Sequence, residues 1–323
     1  MYEQKFYFKY PLNYKLILDL LNKKNKSKLN IFIDFNSICK GFYKAETILY
    51  EISEYAEHNK VSGKLISELK DFLNNLYNTF KSYDPFFIIF YDDGKCTQNR
   101  SIMNTYKSGR SINNIDIDNE KSIELFRKIR KYYYLKIQEE FNKPDLCSVQ
   151  YLPDWETDLV PYYCLKYNIF DSYESDVLNI VLSIDKDLLQ ICQIDNVLQC
   201  VTNFKANKTK GKYEIHFDMY DKNNAVKYLY PEYNGTLTAR YIPLILSIAG
   251  DKSDDIMGIT GFGYTKAIKL IEKNNMPYNI DLIKNNINIM PEIIQKNINI
   301  IIRNYKLISF EEQLKRLPKN FLV

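Results

Sequence analysis

The chain has 323 residues, 46% hydrophobic and 26% charged, enough apolar content for a substantial core and the wrong composition for a disordered or fibrous class. A net charge of +4 neither requires nor excludes a nucleic-acid partner, so that question passes to local charge. Six cysteines without a C-x-x-C pair, several in strand-like runs, indicate a reducing compartment. With only His58 and His216 present, they argue against zinc or a histidine triad, and a metal would be held by oxygen, hence Mg2+ or Mn2+.

In the first 30 residues Asp19 interrupts Leu16, Ile17, Leu18, Leu20 and Leu21, and no small-residue cleavage site follows, so neither a signal peptide nor a membrane span is expected. Leu29 to Phe35 is a nearly continuous apolar run that suits a strand buried on both faces, with Asp34 at its carboxyl end. Tyr50 to Phe80 carries apolar residues at helical spacing. Pro85 to Tyr91 is a second buried-strand run, ending in Asp92-Asp93-Gly94; Asp93 is taken as a turn residue. Residues 95–136 form a long insertion with ten basic against four acidic side chains, a net of +6, interleaved with Tyr106 and Tyr132 to Tyr134. Basic groups bind phosphates and rings stack on unpaired bases, so this is a candidate single-strand element, with a solvated helical hairpin as the plainer alternative.

Further strands are expected at Ser148 to Leu152, Val177 to Ile184 and Val197 to Thr202. Glu156 and Asp158 follow the first of these, Asp185 and Asp187 the second. Helical stretches are expected to about Tyr167 and over Leu188 to Ile191, and Lys205 to Lys212 as an exposed loop. Strands alternating with helices predict a parallel α/β sheet with ligands beyond the carboxyl ends of the strands. A single aspartate there is commonly a turn or cap residue. Several converging carboxylates repel one another and call for cations.

The apolar run Tyr241 to Ala249 then meets Asp251, Asp254 and Asp255, followed by Gly258-Ile-Thr-Gly261-Phe-Gly263 and a new helix pattern over Tyr264 to Lys273. Carboxylates there can hold a hard cation, and glycines ahead of a helix let phosphate approach backbone N–H groups; an acidic loop with a C-cap glycine is the alternative. Residues 258–323 carry ten basic against five acidic side chains, a net of +5, so positive regions flank the acidic centre.

In their order these motifs resemble the structure-specific 5′ nucleases, the flap endonucleases and 5′–3′ exonucleases, particularly free-standing phage members. The resemblance runs from about Leu29 to Lys273. It is carried by Ile31-Phe-Ile-Asp34, Phe90-Tyr-Asp92-Asp93-Gly-Lys, Tyr106-Lys107-Ser-Gly-Arg110, Trp155-Glu156-Thr-Asp158, Ser183-Ile-Asp185-Lys-Asp187, Ala249-Gly-Asp251-Lys-Ser-Asp254 and Gly258-Ile-Thr-Gly261-Phe-Gly263. It implies a PIN-like α/β fold, a parallel sheet flanked by helices, with residues 29–235 as nuclease domain, a helical arch over 95–136 and a helix-three-turn-helix region in 236–323. Residues 1–28 precede the family's usual start and receive no role.

The implied activity is two-metal phosphodiester hydrolysis in DNA replication or repair. By resemblance Asp34, Asp92, Glu156 and Asp158 hold one Mg2+, Asp158, Asp185, Asp187 and Asp251 lie near the second (Mn2+ as substitute), and Asp254 is an outer ligand. Lys107 and Arg110 meet the scissile phosphate, and Asp34 and Asp185 count among the catalytic acids. Arg100, Tyr106, Gly258, Gly261, Gly263 and Lys266 bind substrate, with K+ at the glycine turn. The implied partner is DNA with a 5′ flap or single-stranded 5′ end, or an RNA–DNA hybrid, met by a monomer alongside replication proteins in a bacterial or phage-infected cytoplasm. Leu159 stands where many relatives have a further aspartate. Two other readings remain, a catalytically reduced DNA-binding scaffold and a PIN-type ribonuclease; the latter typically lacks both the basic insertion and the glycine element.

Overall fold

A computed structural model describes residues 14–35, 37, 55, 64–91, 97–107, 132, 135–142, 145–151, 155–172, 174–207 and 212–317. Among these, one sheet contains β1 (Lys28–Asp34), β2 (Pro85–Tyr91), β3 (Cys147–Tyr151), β4 (Val177–Leu182), β5 (Val197–Asn207) and β6 (Lys212–Tyr220) in the order β3-β2-β1-β4-β5-β6. All neighbours are parallel except β5 and β6. The sheet is therefore mixed and mostly parallel, and the described ends of the loop expected at Lys205 to Lys212 are strand: β5 runs on to Asn207 and pairs back through Asn207↔Lys212, while 208–211 lie outside the described residues. The polar run hid this hairpin because an edge strand needs only one apolar face.

The central strands are buried on both faces, as their continuous apolar runs require. Successive side chains alternate between two hydrophobic clusters. Phe32, Ile88, Phe90 and Val181 join one, while Ile31, Ile33, Ile89 and Ile180 join the other. Asn30 and Asn179 interrupt this pattern on adjacent strands and satisfy each other. Asn30 Nδ2 donates to Asn179 Oδ1 at 3.0 Å and to the Phe170 carbonyl at 3.0 Å, which pins the β1–β4 register.

The second face is covered partly by helices Tyr14–Lys23 and Lys64–Phe80. The first of these comes from the segment to which the sequence assigns no role. Its amphipathic spacing buries Tyr14, Ile17 and Leu21, with Tyr14 edge-on to Phe80 at 5.5 Å. Burying Ile17 and Leu21 contributes about 1.5–3 kcal/mol each.

The first face is covered by helices Leu159–Lys166, Ile242–Ala249, Tyr264–Lys273 and Glu292–Ile308, whose buried residues join Phe32 and Val181 in one cluster. The stretch expected to be helical at Leu188 to Ile191 is a 3-10 helix, Lys186–Gln193. Helix Ile242–Ala249 is apolar all round and ends at Gly250, φ +80°. A Cβ on Gly250 would lie 2.3 Å from the Gly258 nitrogen, and one on Gly258 would lie 2.2 Å from the Ala249 carbonyl carbon. The two glycines thus let the chain fold back through the Gly250↔Met257 bridge, and this tight return presents Asp251 and Asp254. Asn304 clamps it, donating to the Ser247 and Met257 carbonyls at 3.0 and 2.8 Å. No helix among the described residues is long and apolar enough to cross a membrane.

Candidate metal centre

The β1–β4 pairing Ile33↔Leu182 sets the next residues, Asp34 and Ser183, side by side at the carboxyl edge of the sheet. Ser183 Oγ donates to Asp34 Oδ2 at 2.6 Å, Ser37 N donates to Asp34 Oδ1 at 3.0 Å, and Ser37 Oγ also bonds Oδ2. Ser183 Oγ in turn accepts from the Asp185 amide at 3.0 Å, and Asp185 Oδ1 from the Asp187 amide at 2.9 Å, capping the 3-10 helix that carries Asp187. Asp158 opens helix Leu159–Lys166 on the same side.

A second knot lies alongside. Tyr106 Oη donates to Glu156 Oε2 at 2.9 Å and Asp254 Oδ2 at 3.0 Å, and Asn99 Nδ2 donates to Glu156 Oε2 at 3.1 Å. Lys107, left-handed at φ +53° and buried, turns its ammonium inward to Glu156 and, at 3.4 Å, to Asp254. Its amide donates to the Asp254 carbonyl at 3.0 Å, which locks the turn in place. Ligand oxygens of Asp187, Asp251 and Asp254 lie within 4.8 Å of one another. Asp251 Oδ1 accepts from Ser253 N and Oγ at 2.9 and 2.6 Å, and its Oδ2 lies 2.6 Å from Lys186 Nζ.

Charge crowding follows from this packing. Burial pushes the Asp158 carboxyl well above the usual carboxylate range; Asp185, Asp34 and Glu156 push it further, and Lys107 opposes them. Burial does the same to Asp187, reinforced by Asp185 and Asp251 and countered by Lys186. Asp34 is raised chiefly by burial, against its serine hydrogen bonds. Burial would lower the Lys186 ammonium, but Asp187, Asp251 and Asp185 outweigh it and hold its pKa above the ordinary lysine value.

The residues fit a hard divalent cation. The donors are all carboxylate oxygens, the set Mg2+ and Mn2+ prefer, and the buried Asp187 Oδ1 has no hydrogen-bond partner among the described residues. Leu159, in place of a possible further acid, is fully buried in the hydrophobic cluster beside Val160.

A groove lined by Lys186, Asp251, Ser253, Gly261, Gly263 and Tyr264 joins the acids to the glycine turn. Gly261 has φ +81°, and neither it nor Gly263 has a described atom within 4 Å of where a Cβ would stand, so this backbone is open to a ligand. Gly263 precedes helix Tyr264–Lys273 with no side-chain cap, and Lys266 Nζ donates to the Gly261 carbonyl at 2.8 Å. Gly258 differs from them, being packed against Ala249 and Gly250. Arg100 is exposed and among the described residues bonds the Tyr106 carbonyl, at 3.4 Å. Asp92 and Arg110 lie outside the described residues.

The sequence assigns Tyr106 and Lys107 to substrate; in the structure both side chains contact the acids Glu156 and Asp254. Neither Asn99, which reaches Glu156, nor Arg316, which reaches Asn99 from a distant segment, belongs to a motif.

No protein-family model matches the chain, and no curated protein sequence matches it. Solved structures do. The bacteriophage T5 D15 protein co-crystallised with metal ions is 17% identical, with a TM-score of 0.56 over 88% of this chain and 90% of that one. The T5 5′-exonuclease with bound zinc is 15% identical, with a TM-score of 0.58 over 88% and 90%. The T5 D15 flap endonuclease in a pseudo-enzyme–product complex with DNA and metal ions is 15% identical, with a TM-score of 0.57 over 88% and 89%. The chain thus has the PIN-like fold of the structure-specific 5′ nucleases.

Proposed function

We propose that this chain is a divalent-metal-dependent 5′ nuclease, hydrolysing phosphodiester bonds in branched, nicked or RNA-primed DNA from a 5′ flap or single-stranded 5′ end. The observation that carries the reading is the convergence of Asp34, Glu156, Asp158, Asp185, Asp187, Asp251 and Asp254 from separate segments, with the buried Asp187 Oδ1 unpartnered among the described residues. The T5 proteins of the same fold were crystallised with metal ions and, in one case, with DNA, which is in keeping with it.

Asp34, Glu156, Asp158 and Asp185 would hold one ion, joined by Asp92 on the sequence expectation, and Asp187, Asp251 and Asp254 a second. Bound there, divalent ions polarise phosphoryl oxygens and acidify water. The chain's own groups do the rest. Ser37 and Ser183 hold the Asp34 carboxylate in one orientation, and the Asp185 and Asp187 amides tie the next two acids to it. Lys107 exchanges Glu156 and Asp254 for the scissile phosphate and offsets charge developing there. Open amides at Gly261, Gly263 and the first turn of helix Tyr264–Lys273 receive duplex phosphates, aided by the helix dipole. The short path from Gly250 to Gly263 sets the spacing between duplex grip and cleavage.

The test incubates purified protein with 5′-labelled flap, nicked, blunt and RNA–DNA substrates in Mg2+, Mn2+ or EDTA, and sizes the products. Metal-dependent cleavage near the 5′ end, strongest on flaps, is expected. Binding without cleavage in every metal would replace this reading with the scaffold, and cleavage of RNA alone with the ribonuclease. Weaker duplex binding on replacing K+ by Li+ would locate a monovalent cation at the glycine turn.

A further inference from the structure

Arg316 follows the C-terminal helix Phe310–Leu314, far in sequence from every acid of the site. That helix is held firmly. Phe310 N donates to Gln190 Oε1 at 2.8 Å, Gln313 Nε2 to the Leu307 carbonyl at 2.6 Å, and Tyr162 Oη to Glu311 Oε2 at 2.6 Å. From this base Arg316 crosses to the site, its guanidinium 6.0 Å from the Trp155 ring centroid. One amino group, Nη2, donates both to the Lys306 carbonyl and to Asn99 Oδ1, at 3.0 Å each. Asn99, 3% exposed, passes the contact on, its Nδ2 donating to Glu156 Oε2 at 3.1 Å.

The chemistry of this relay is directional. A guanidinium only donates, so the Asn99 amide must turn its oxygen to Arg316 and therefore its nitrogen to Glu156. Without the guanidinium the buried amide is free to flip and present an oxygen to a carboxylate, and Glu156 loses one of the donors that fix it. Packing alone does not call for arginine here. Arg316 Nε is buried with no hydrogen-bond partner among the described residues, a cost that an apolar side chain of similar length over Trp155 would avoid.

We propose that Arg316 is a positioning residue for Glu156, acting through the Asn99 amide, so that the C-terminal helix sets the geometry of one metal ligand at the foot of the basic insertion. The proposal rests on reading Glu156 as a metal ligand. Loss of a group that orients a ligand from behind costs about 10- to 100-fold in metal affinity or activity.

The test measures Mn2+ binding to the full chain by calorimetry, and kcat and KM on 5′-flap DNA, for wild type, Arg316→Met, Arg316→Lys, Asn99→Leu and the double variant Arg316→Met/Asn99→Leu, with circular dichroism to confirm folding. Arg316→Met is expected to lower Mn2+ affinity and kcat about 10- to 100-fold with KM for DNA unchanged. Arg316→Lys, still a pure donor, restores most of the loss, and the double variant is no worse than Arg316→Met because both break one chain. Where Arg316→Met fails to fold, Asn99→Leu carries the same expectation. Wild-type Mn2+ affinity in Arg316→Met or Asn99→Leu, or additive losses in the double variant, overturns the positioning role while the nuclease reading stands. A wild-type protein that neither binds Mn2+ nor cleaves overturns both.

Discussion

Replacing Asp187 with asparagine separates two effects of opposite sign. The Asp187 carboxyl is held well above its ordinary range by burial and by Asp185 and Asp251, so ionising it opposes folding. In EDTA Asp187→Asn is therefore expected to be more stable than wild type. Metal binding acts the other way. Divalent cation at 100 times its Kd stabilises wild type by about 2.7 kcal/mol. At about 2 °C per kcal/mol for a chain of this size, wild type gains about 5 °C in Tm with saturating Mg2+, while the variant starts higher in EDTA and gains little. Thermal melts of both proteins in EDTA and across an Mg2+ series, with flap cleavage in parallel, measure all three quantities. A variant that melts lower than wild type in EDTA, or keeps the full Mg2+ shift, refutes the placement of Asp187 in a repulsive cation site.

Asp34, Asp158 and Asp187 all have raised folded-state pKa values, so between their unfolded values near about 4 and the raised ones the folded chain binds more protons than the unfolded one. Stability in EDTA should therefore fall as pH rises through that window, and saturating Mg2+ should flatten the dependence; a metal-free Tm that climbs steadily from pH 5 to 8 contradicts this. Glu311, lowered on balance because its bonds to Lys166 and Tyr162 outweigh burial, contributes stability above its unfolded pKa that is lost as the solution is acidified below it. Lys107→Ala removes a partner of Glu156 and Asp254 and should reduce single-turnover cleavage far more than duplex affinity; equal losses in a filter-binding and cleavage pair would dissociate Lys107 from the scissile phosphate. Leu21→Ala, at a fully buried position, should cost about 2–5 kcal/mol by denaturant unfolding and leave Mn2+ affinity intact. A neutral result would mean that helix Tyr14–Lys23 does not support the sheet.

Much of the layout was legible because its signals are local. Continuous apolar runs such as Ile31–Phe–Ile and Phe87–Ile–Ile–Phe90 are what strands covered on both sides need, and an acid at the carboxyl end of each run then points to one edge of a parallel sheet. The β5–β6 pairing was not, since the sequence from Lys205 to Lys212 is polar and its described residues Lys205, Ala206, Asn207 and Lys212 pair along an edge. Helix Tyr14–Lys23 shows its amphipathic spacing in sequence, but only the packing of Tyr14 on Phe80 reveals what that face covers. Lys107 is the sharpest case. Counted as charge it belongs to a basic insertion facing nucleic acid, yet its left-handed backbone and the Asp254 carbonyl turn it into the acids.

The sequence by itself determined which residues carry charge, which apolar runs form the five parallel strands, and the order in which the acids arrive, because these depend on neighbours a few positions apart. Tertiary structure alone decided which groups meet. The pairing of Ile33 with Leu182 places Ser183 against Asp34, the contact of Gly250 with Gly258 brings Asp251 and Asp254 to Asp187, and Arg316 reaches Asn99 across 217 positions. Such contacts arise from strand register and helix packing summed over the whole core, and no local pattern of residues encodes them.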